Sequence, residues 1–249
     1  MNLDRIIAVR STKTIYRNDD ECVKVFNESY LKADVLNEAL NQSKLEVTSL
    51  NVPSIKTVTT IDGKWAIISD FIQGKTLANL IRENPSKKAE YLLMFVDLQI
   101  AVFKEKAPLL NDLKEKMHRN INAANLDENV KYDLHTRLNS MPNHHKICHG
   151  DFYLDNIILT PDGKLYILDW SHVTLGNASA DVARTYLLFW LNGDIDGANK
   201  YLDLYCSKTN TPKQYVKKWF PIVAASQLIK GNEKEREFLY TWINVVDYE

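Results

Sequence analysis

Apolar positions along the chain change their spacing near residue 74. Before it they come in short runs and alternations, the spacing of half-buried strands. Cys22-Val23-Lys24-Val25-Phe26 is such a run, with Val23 and Val25 on one side and Lys24 on the other. Leu31 to about Leu50 is rich in Leu, Ala, Glu and Lys and predicts a helix, ended by Asn51-Val52-Pro53. Residues 54–61 and 64–72 predict a hairpin with Asp62-Gly63 at its turn. From Thr76 to about Leu138 the spacing is helical, with breaks near Pro85 and Pro108. Residues 146–148 and 157–159 predict short strands. A second hairpin follows, turning at Pro161-Asp162-Gly163-Lys164 into the strand Leu165–Leu168. From Asp181 onward the pattern is helical and aromatic-rich. These elements predict an α+β chain in two parts, a small strand-rich lobe over 1–72 and a larger, mainly helical lobe over 73–249. A cleft between two such lobes is a natural place for a ligand.

Composition narrows the picture. Of 249 residues, 45% are hydrophobic and 25% charged, an ordinary globular balance. The net charge of −1 argues against nucleic acid or an anionic membrane surface as partner. Cys22, Cys148 and Cys206 are odd in number and widely spaced, which argues against a disulfide framework or a zinc site. The opening MNLDRIIAVR lacks the apolar segment of a secretory signal, and no run of about 18 apolar residues occurs. A cytoplasmic protein is expected.

The segment with most chemistry is His149-Gly150-Asp151-Phe152-Tyr153-Leu154-Asp155-Asn156, followed by Asp169 within Ile167-Leu168-Asp169-Trp170. Asp151 and Asn156 fall on a turn between apolar strands, and Asp169 ends the next hairpin. Such a turn can bring three oxygen ligands to one edge of a small sheet. Phosphoryl transfer needs hard oxygen ligands for magnesium and a carboxylate to orient the acceptor hydroxyl and take its proton.

H-G-D-x-x-x-x-N followed by I-L-D-W resembles the motif of the aminoglycoside phosphotransferase and choline kinase family, the small-molecule branch of the protein-kinase-like fold. Motif order and chain length match along nearly the whole sequence. The resemblance implies a two-lobed kinase-like fold using ATP or GTP with Mg2+. It implies Asp151 as catalytic base and Asn156 and Asp169 as metal ligands, with His149 bracing the loop. Lys24, mid-strand in an apolar run, is costly to bury without a partner. It is expected to hold the α/β-phosphates, anchored by Glu38, which shares a helix face with Leu31 and Val35. Glu46 is the rival. No glycine precedes Gly63, so a glycine-rich phosphate loop is absent, and Ser11 and Thr12 are the hairpin candidates for its task. Ile68–Gly74 resembles the hinge, where Asp70 and Ile72 would offer backbone groups to the adenine. Asp181 resembles a family aspartate near the catalytic loop, but its plain reading, a helix N-cap, is preferred.

The acceptor is expected to be a small molecule. Family members phosphorylate aminoglycosides, choline or sugars, among others. Residues 151–249 carry 13 acidic against 10 basic side chains, a slight lean toward a cationic acceptor. Trp170, Trp190, Trp219 and Trp242 read first as helix packing, and second as a cage for a quaternary ammonium. His144 and His145 read as solvated loop residues. The alternative to a small-molecule kinase is a catalytically silent, kinase-like nucleotide-binding protein.

Overall fold

In the computed structural model, which describes residues 3, 5–107, 109–230 and 232–244, tight turns build the first sheet. Its strands are β1 (Arg5–Val9), β2 (Lys13–Asn18) and β3 (Glu21–Phe26), then, after helix α1 (Lys32–Ser43), β4 (Ile55–Ile61) and β5 (Lys64–Asp70). They pair antiparallel in the order β1-β2-β3-β5-β4. Asp62 and Gly63 close the β4–β5 hairpin at φ 48° and 78°, the left-handed pair that a two-residue turn requires.

Helix α1 is shorter than the sequence predicts. After Ser43 the chain tightens into turns in which Leu45, Glu46 and Thr48 donate to Gln42, Ser43 and Leu45. The Ser43 and Thr48 hydroxyls also donate to nearby carbonyls, which competes with helical bonding.

Next come β6 (Lys75–Thr76), α2 (Leu77–Glu83), α3 (Lys88–Val102), α4 (Leu113–Ala123), α5 (Glu128–Ser140), β7 (Lys146–Cys148), β8 (Ile157–Leu159), β9 (Leu165–Ile167) and β10 (Thr174–Gly176). The chain ends in α6 (Ala178–Leu191), α7 (Ile195–Thr209), α8 (Lys213–Lys217), α9 (Phe220–Leu228) and α10 (Glu233–Ile243). The strands flanking Asp151 belong to two small sheets rather than one. β7 pairs with β10, whereas β8 pairs with β6 and β9.

By compactness the chain forms two units, 1–87 with 107–109 and 154–172, and 88–106 with 110–153 and 173–249. The sequence pattern changes at 72/73, but β6 pairs with β8, so the β8–β9 hairpin packs with the first unit although it is distant in sequence. Gly74 makes this close approach possible, since a Cβ there would meet the Leu159 carbonyl oxygen at 2.5 Å. In the first unit, Phe26, Val35, Ala39 and Ile67 form a core under the sheet. In the second, Phe95 packs on Phe152, Phe189 and Tyr201. Cys22, Cys148 and Cys206 are free thiols. No helix among the described residues is long and apolar enough to cross a membrane.

Candidate active site

Four charged side chains of the first unit share one cluster. Register places Ile15 of β2 opposite Lys24 of β3, so Lys13, two residues before Ile15, emerges on the same face as Lys24. Glu38 of α1, only 3% exposed, accepts from Lys24 Nζ at 3.0 Å and from Lys13 Nζ at 3.1 Å. Lys13 also reaches Asp169 Oδ2 at 3.3 Å. Burial alone would lower the Lys24 ammonium, but Asp169 and Glu38 outweigh it and hold the pKa above the ordinary lysine value. Burial would raise the Asp169 carboxyl. Lys24 and Lys13 overcome that and hold it well below the usual carboxylate range. Within the cluster each ammonium meets a carboxylate.

The expected Lys24–Glu38 pair is present. The rival Glu46 instead accepts from the Ile55 backbone N–H at 2.8 Å. Lys13 was not anticipated. Its signal, a lysine two residues from Ile15 in an alternating strand, acquires meaning only once the β2–β3 register is known.

Lys13, Lys24 and Asp169 of this cluster line a cavity of about 690 Å3 within the first unit, a size suited to a small-molecule ligand. Ile7, Ile15, Ile158 and Leu168 supply apolar surface. Ser69, Asp70, Phe71 and Ile72, from the segment expected to be a hinge, also line the cavity. Asp70 is fixed there by accepting from the Ser54 N–H at 3.2 Å. Ser11 and Thr12 are exposed in the β1–β2 turn, and the cavity is lined by their neighbours Arg10 and Lys13 instead. Their backbone carbonyls accept from Asn27, which ties the turn to the end of β3.

Asn156 and Asp169 line the same cavity, and the Asn156 carbonyl accepts from the Leu168 N–H at 2.8 Å. Asp169 has φ 59°, a left-handed conformation that costs a residue with a Cβ. Its Oδ1 is buried with no hydrogen-bond partner. A buried carboxylate oxygen without a donor is costly unless a cation meets it. Among the described residues no three His, Cys, Asp or Glu side chains group as a metal site. One amide and one carboxylate fit magnesium, which completes its shell with water and phosphate oxygens.

The second unit holds the Asp151 loop. Gly150, at φ 79°, turns the chain after β7. His149 is fully buried, and its Nδ1 accepts from the Asp151 N–H at 3.1 Å, the bracing expected of it. Asp181 corrects the N-cap reading. Asn177 caps α6 by accepting from the Ser179 N–H at 3.0 Å. Asp181 lies buried one turn on, accepting from the Gly150 N–H at 2.7 Å and from Gln99 Nε2 at 3.2 Å. Burial raises its carboxyl pKa despite His149 and these donors. Arg184, one helical turn after the Gly150 contact begins, donates through Nε to the Gly150 carbonyl at 3.2 Å and through Nη2 to Asp151 Oδ1 at 3.4 Å. It too was not anticipated. Thr185 Oγ1 donates to the Phe152 carbonyl at 3.0 Å. One face of α6 thus fixes the loop from Gly150 to Phe152. Trp170 and Trp219 are fully buried core residues, and His144 and His145 are exposed.

Known proteins resemble this chain in part of its sequence and in its fold. Over 68 residues the chain is 37% identical to mouse acyl-CoA dehydrogenase family member 10, a match that covers 26% of this chain and about 6% of that protein's length. A thermostable mutant of aminoglycoside phosphotransferase APH(4)-Ia, in ternary complex with AMP-PNP and hygromycin B, superposes with a TM-score of 0.69 at 13% identity, covering 95% of this chain and 90% of that one. The gentamicin complex of APH(2'')-IIa gives 0.66 at 17% identity, covering 96% and 89%. ADP-bound APH(2'')-Ib gives 0.64 at 16%, covering 96% and 90%. At such identities the likeness shows the fold, and the fold is kinase-like. A profile of the phosphotransferase enzyme family matches residues 10–214, and on that match this chain belongs to the phosphotransferase enzyme family.

Proposed function

We propose that this protein transfers the γ-phosphoryl group of ATP to a hydroxyl of a small molecule. The observation that carries the reading is Glu38 bridging Lys13 and Lys24 while Lys13 also holds Asp169, with Lys13, Lys24 and Asp169 lining one cavity. Two lysines fixed by carboxylates in one cavity are suited to phosphate oxygens, and a lysine fixed by a helix glutamate is the arrangement that phosphoryl transfer uses. The apolar residues and the hinge wall suit an adenine ring. AMP-PNP and ADP in the solved relatives point to the same donor.

In this reading Lys24 holds the α/β-phosphates, and Lys13 adds a second cation where no glycine-rich loop exists. Asn156 and Asp169 would hold Mg2+, which supplies charge neutralisation for the phosphate oxygens. Asp151 orients the acceptor hydroxyl and takes its proton as oxygen attacks the γ-phosphorus and the bond to ADP breaks. Asp181, His149 and Arg184 keep the Asp151 loop in one conformation.

The test is a calorimetric titration with ATP and GTP, with and without Mg2+, followed by an ADP-release screen over alcohols, sugars, amino alcohols and hydroxy acids. Binding with turnover of at least one acceptor is expected. Binding with no turnover across the screen would favour the silent nucleotide-binding alternative. An absence of nucleotide binding would end both readings.

A further inference from the structure

The loop that carries Asp151 is also held from points far from it in the chain. Gln99 of α3, Tyr201 of α7 and Asp181 and Thr185 of α6 are all buried. The Tyr201 hydroxyl donates to Gln99 Oε1. Gln99 Nε2 donates to Asp181 Oδ2 at 3.2 Å and to Thr185 Oγ1 at 3.2 Å. From there two branches reach the loop. Asp181 Oδ1 accepts from the Gly150 N–H at 2.7 Å, and Thr185 Oγ1 donates to the Phe152 carbonyl at 3.0 Å. Gly150 and Phe152 flank Asp151. One amide nitrogen therefore serves the backbone on both sides of the candidate base.

Glutamine suits this position for a chemical reason. Its amide offers two N–H donors and one carbonyl acceptor on a single planar group. Asp181 and Thr185 take the donors, and the Tyr201 hydroxyl sets which end of the amide faces them. Asparagine would be one methylene short. Glutamate would bring a second carboxylate against the buried Asp181. Leucine would fill the space and answer neither branch. The surroundings do not ask for a polar group. Gln99 lies one helical turn after Phe95, which packs on Phe152, Phe189 and Tyr201. An apolar side chain would pack there without the cost of desolvating an amide. What the amide adds is direction, through a buried chain of hydrogen bonds in which every member has a partner.

We propose that Gln99 is a positioning residue for Asp151, oriented by Tyr201 and acting through Asp181 on Gly150 and through Thr185 on Phe152. This rests on the phosphotransferase reading and adds to it two residues that touch neither nucleotide nor acceptor. The relay differs from the bracing by His149 and Arg184, because it starts on α3 and α7 and joins both flanks of Asp151 through one side chain. Removing Gln99 frees both flanks at once. The Asp151 carboxylate is then misplaced for the acceptor hydroxyl, and small misplacements of a reacting group are costly in rate. No residue of the relay lines the cavity around Lys24, so nucleotide binding is spared.

The test compares Gln99→Leu, Tyr201→Phe, the double variant and Gln99→Glu in the intact protein. Amide exchange followed by NMR gives the protection of the Gly150 N–H relative to amides within α7. Gln99→Leu should lower that protection about 10–100-fold, and Tyr201→Phe about 3–10-fold. The double variant should match Gln99→Leu, since on the Gly150 branch Tyr201 acts through Gln99. In Gln99→Glu, burial beside Asp181 raises the pKa of the new carboxyl. Its protonated form can donate to Asp181 and its ionised form cannot. Gly150 protection should therefore be greater at about pH 6 than at about pH 8, by more than in the unaltered protein. With an acceptor found by ADP release, Gln99→Leu should lower kcat about 10–100-fold at unchanged nucleotide Kd. Unchanged Gly150 protection in a folded Gln99→Leu protein, additive losses in the double variant, or a Gln99→Glu protein without the added pH dependence would overturn the proposal. If Gln99→Leu does not fold, Tyr201→Phe and Gln99→Glu carry the same test. An absence of turnover with every acceptor would instead count against the phosphotransferase reading, and the exchange measurements would still decide the relay.

Discussion

The two units solve the same problem, burying charge, in opposite ways. Around Glu38, two ammonium groups meet two carboxylates at 3.0–3.3 Å, and the set is closed except for Asp169 Oδ1. Around Asp151, the Arg184 contact is longer, at 3.4 Å, and Arg184 Nη1 is left over. The first cluster pairs each ammonium with a carboxylate before any ligand arrives. In the second, Arg184 Nη1 is buried without a partner while Nε and Nη2 hold Gly150 and Asp151. A closed cluster fits a constant partner such as a nucleotide.

The largest effect that this contrast predicts is at Asp151. Asp151→Asn should lower kcat by about 10²–10⁴-fold and leave nucleotide Kd unchanged, because the base serves the acceptor and not the nucleotide. Steady-state ADP release with the best acceptor, beside calorimetry with ATP, checks this. A fall of less than about tenfold with chemistry rate-limiting would remove Asp151 from the role of base.

Next is Glu38. Glu38→Ala leaves two buried ammonium groups without their shared carboxylate and should cost about 3–5 kcal/mol of stability in urea unfolding. An exposed pair such as Lys75–Glu83 should cost about 1 kcal/mol or less when cut. Equal losses at the two places would mean that the cluster is not the closed unit described.

A smaller effect is expected at Lys13. Lys13→Met should weaken ATP by about tenfold, the loss of roughly one charge-assisted bond, and weaken AMP much less. Equal losses for ATP and AMP would show Lys13 to be a strut for Glu38 and Asp169 rather than a phosphate ligand.

The sequence made some of these groups legible and hid others for physical reasons. Lys24 stood out because a lysine inside an apolar strand must have a partner, and Glu38 because it shares a helix face with the buried Val35. Lys13 did not, because it gains its meaning from strand register, which no local pattern records. Asp181 was misread because carboxylates are common at helix starts. The better signal was its setting in Ala180-Asp181-Val182-Ala183, where apolar neighbours bury it and oblige it to find donors. The end of α1 was overestimated because composition favours a helix where the Ser43 and Thr48 hydroxyls tighten the chain into turns. The pairing of β6 with β8 was invisible because two-residue strands leave no periodicity to read.

The most direct test of the account is the metal-dependence of ATP binding at Asp169. Calorimetry on the intact protein should show ATP binding that strengthens with Mg2+, and Asp169→Ala should lose that strengthening while staying folded. Equal Mg-ATP affinity in the variant and the unaltered protein would contradict the assignment of this carboxylate, and with it the phosphate site proposed for the cavity.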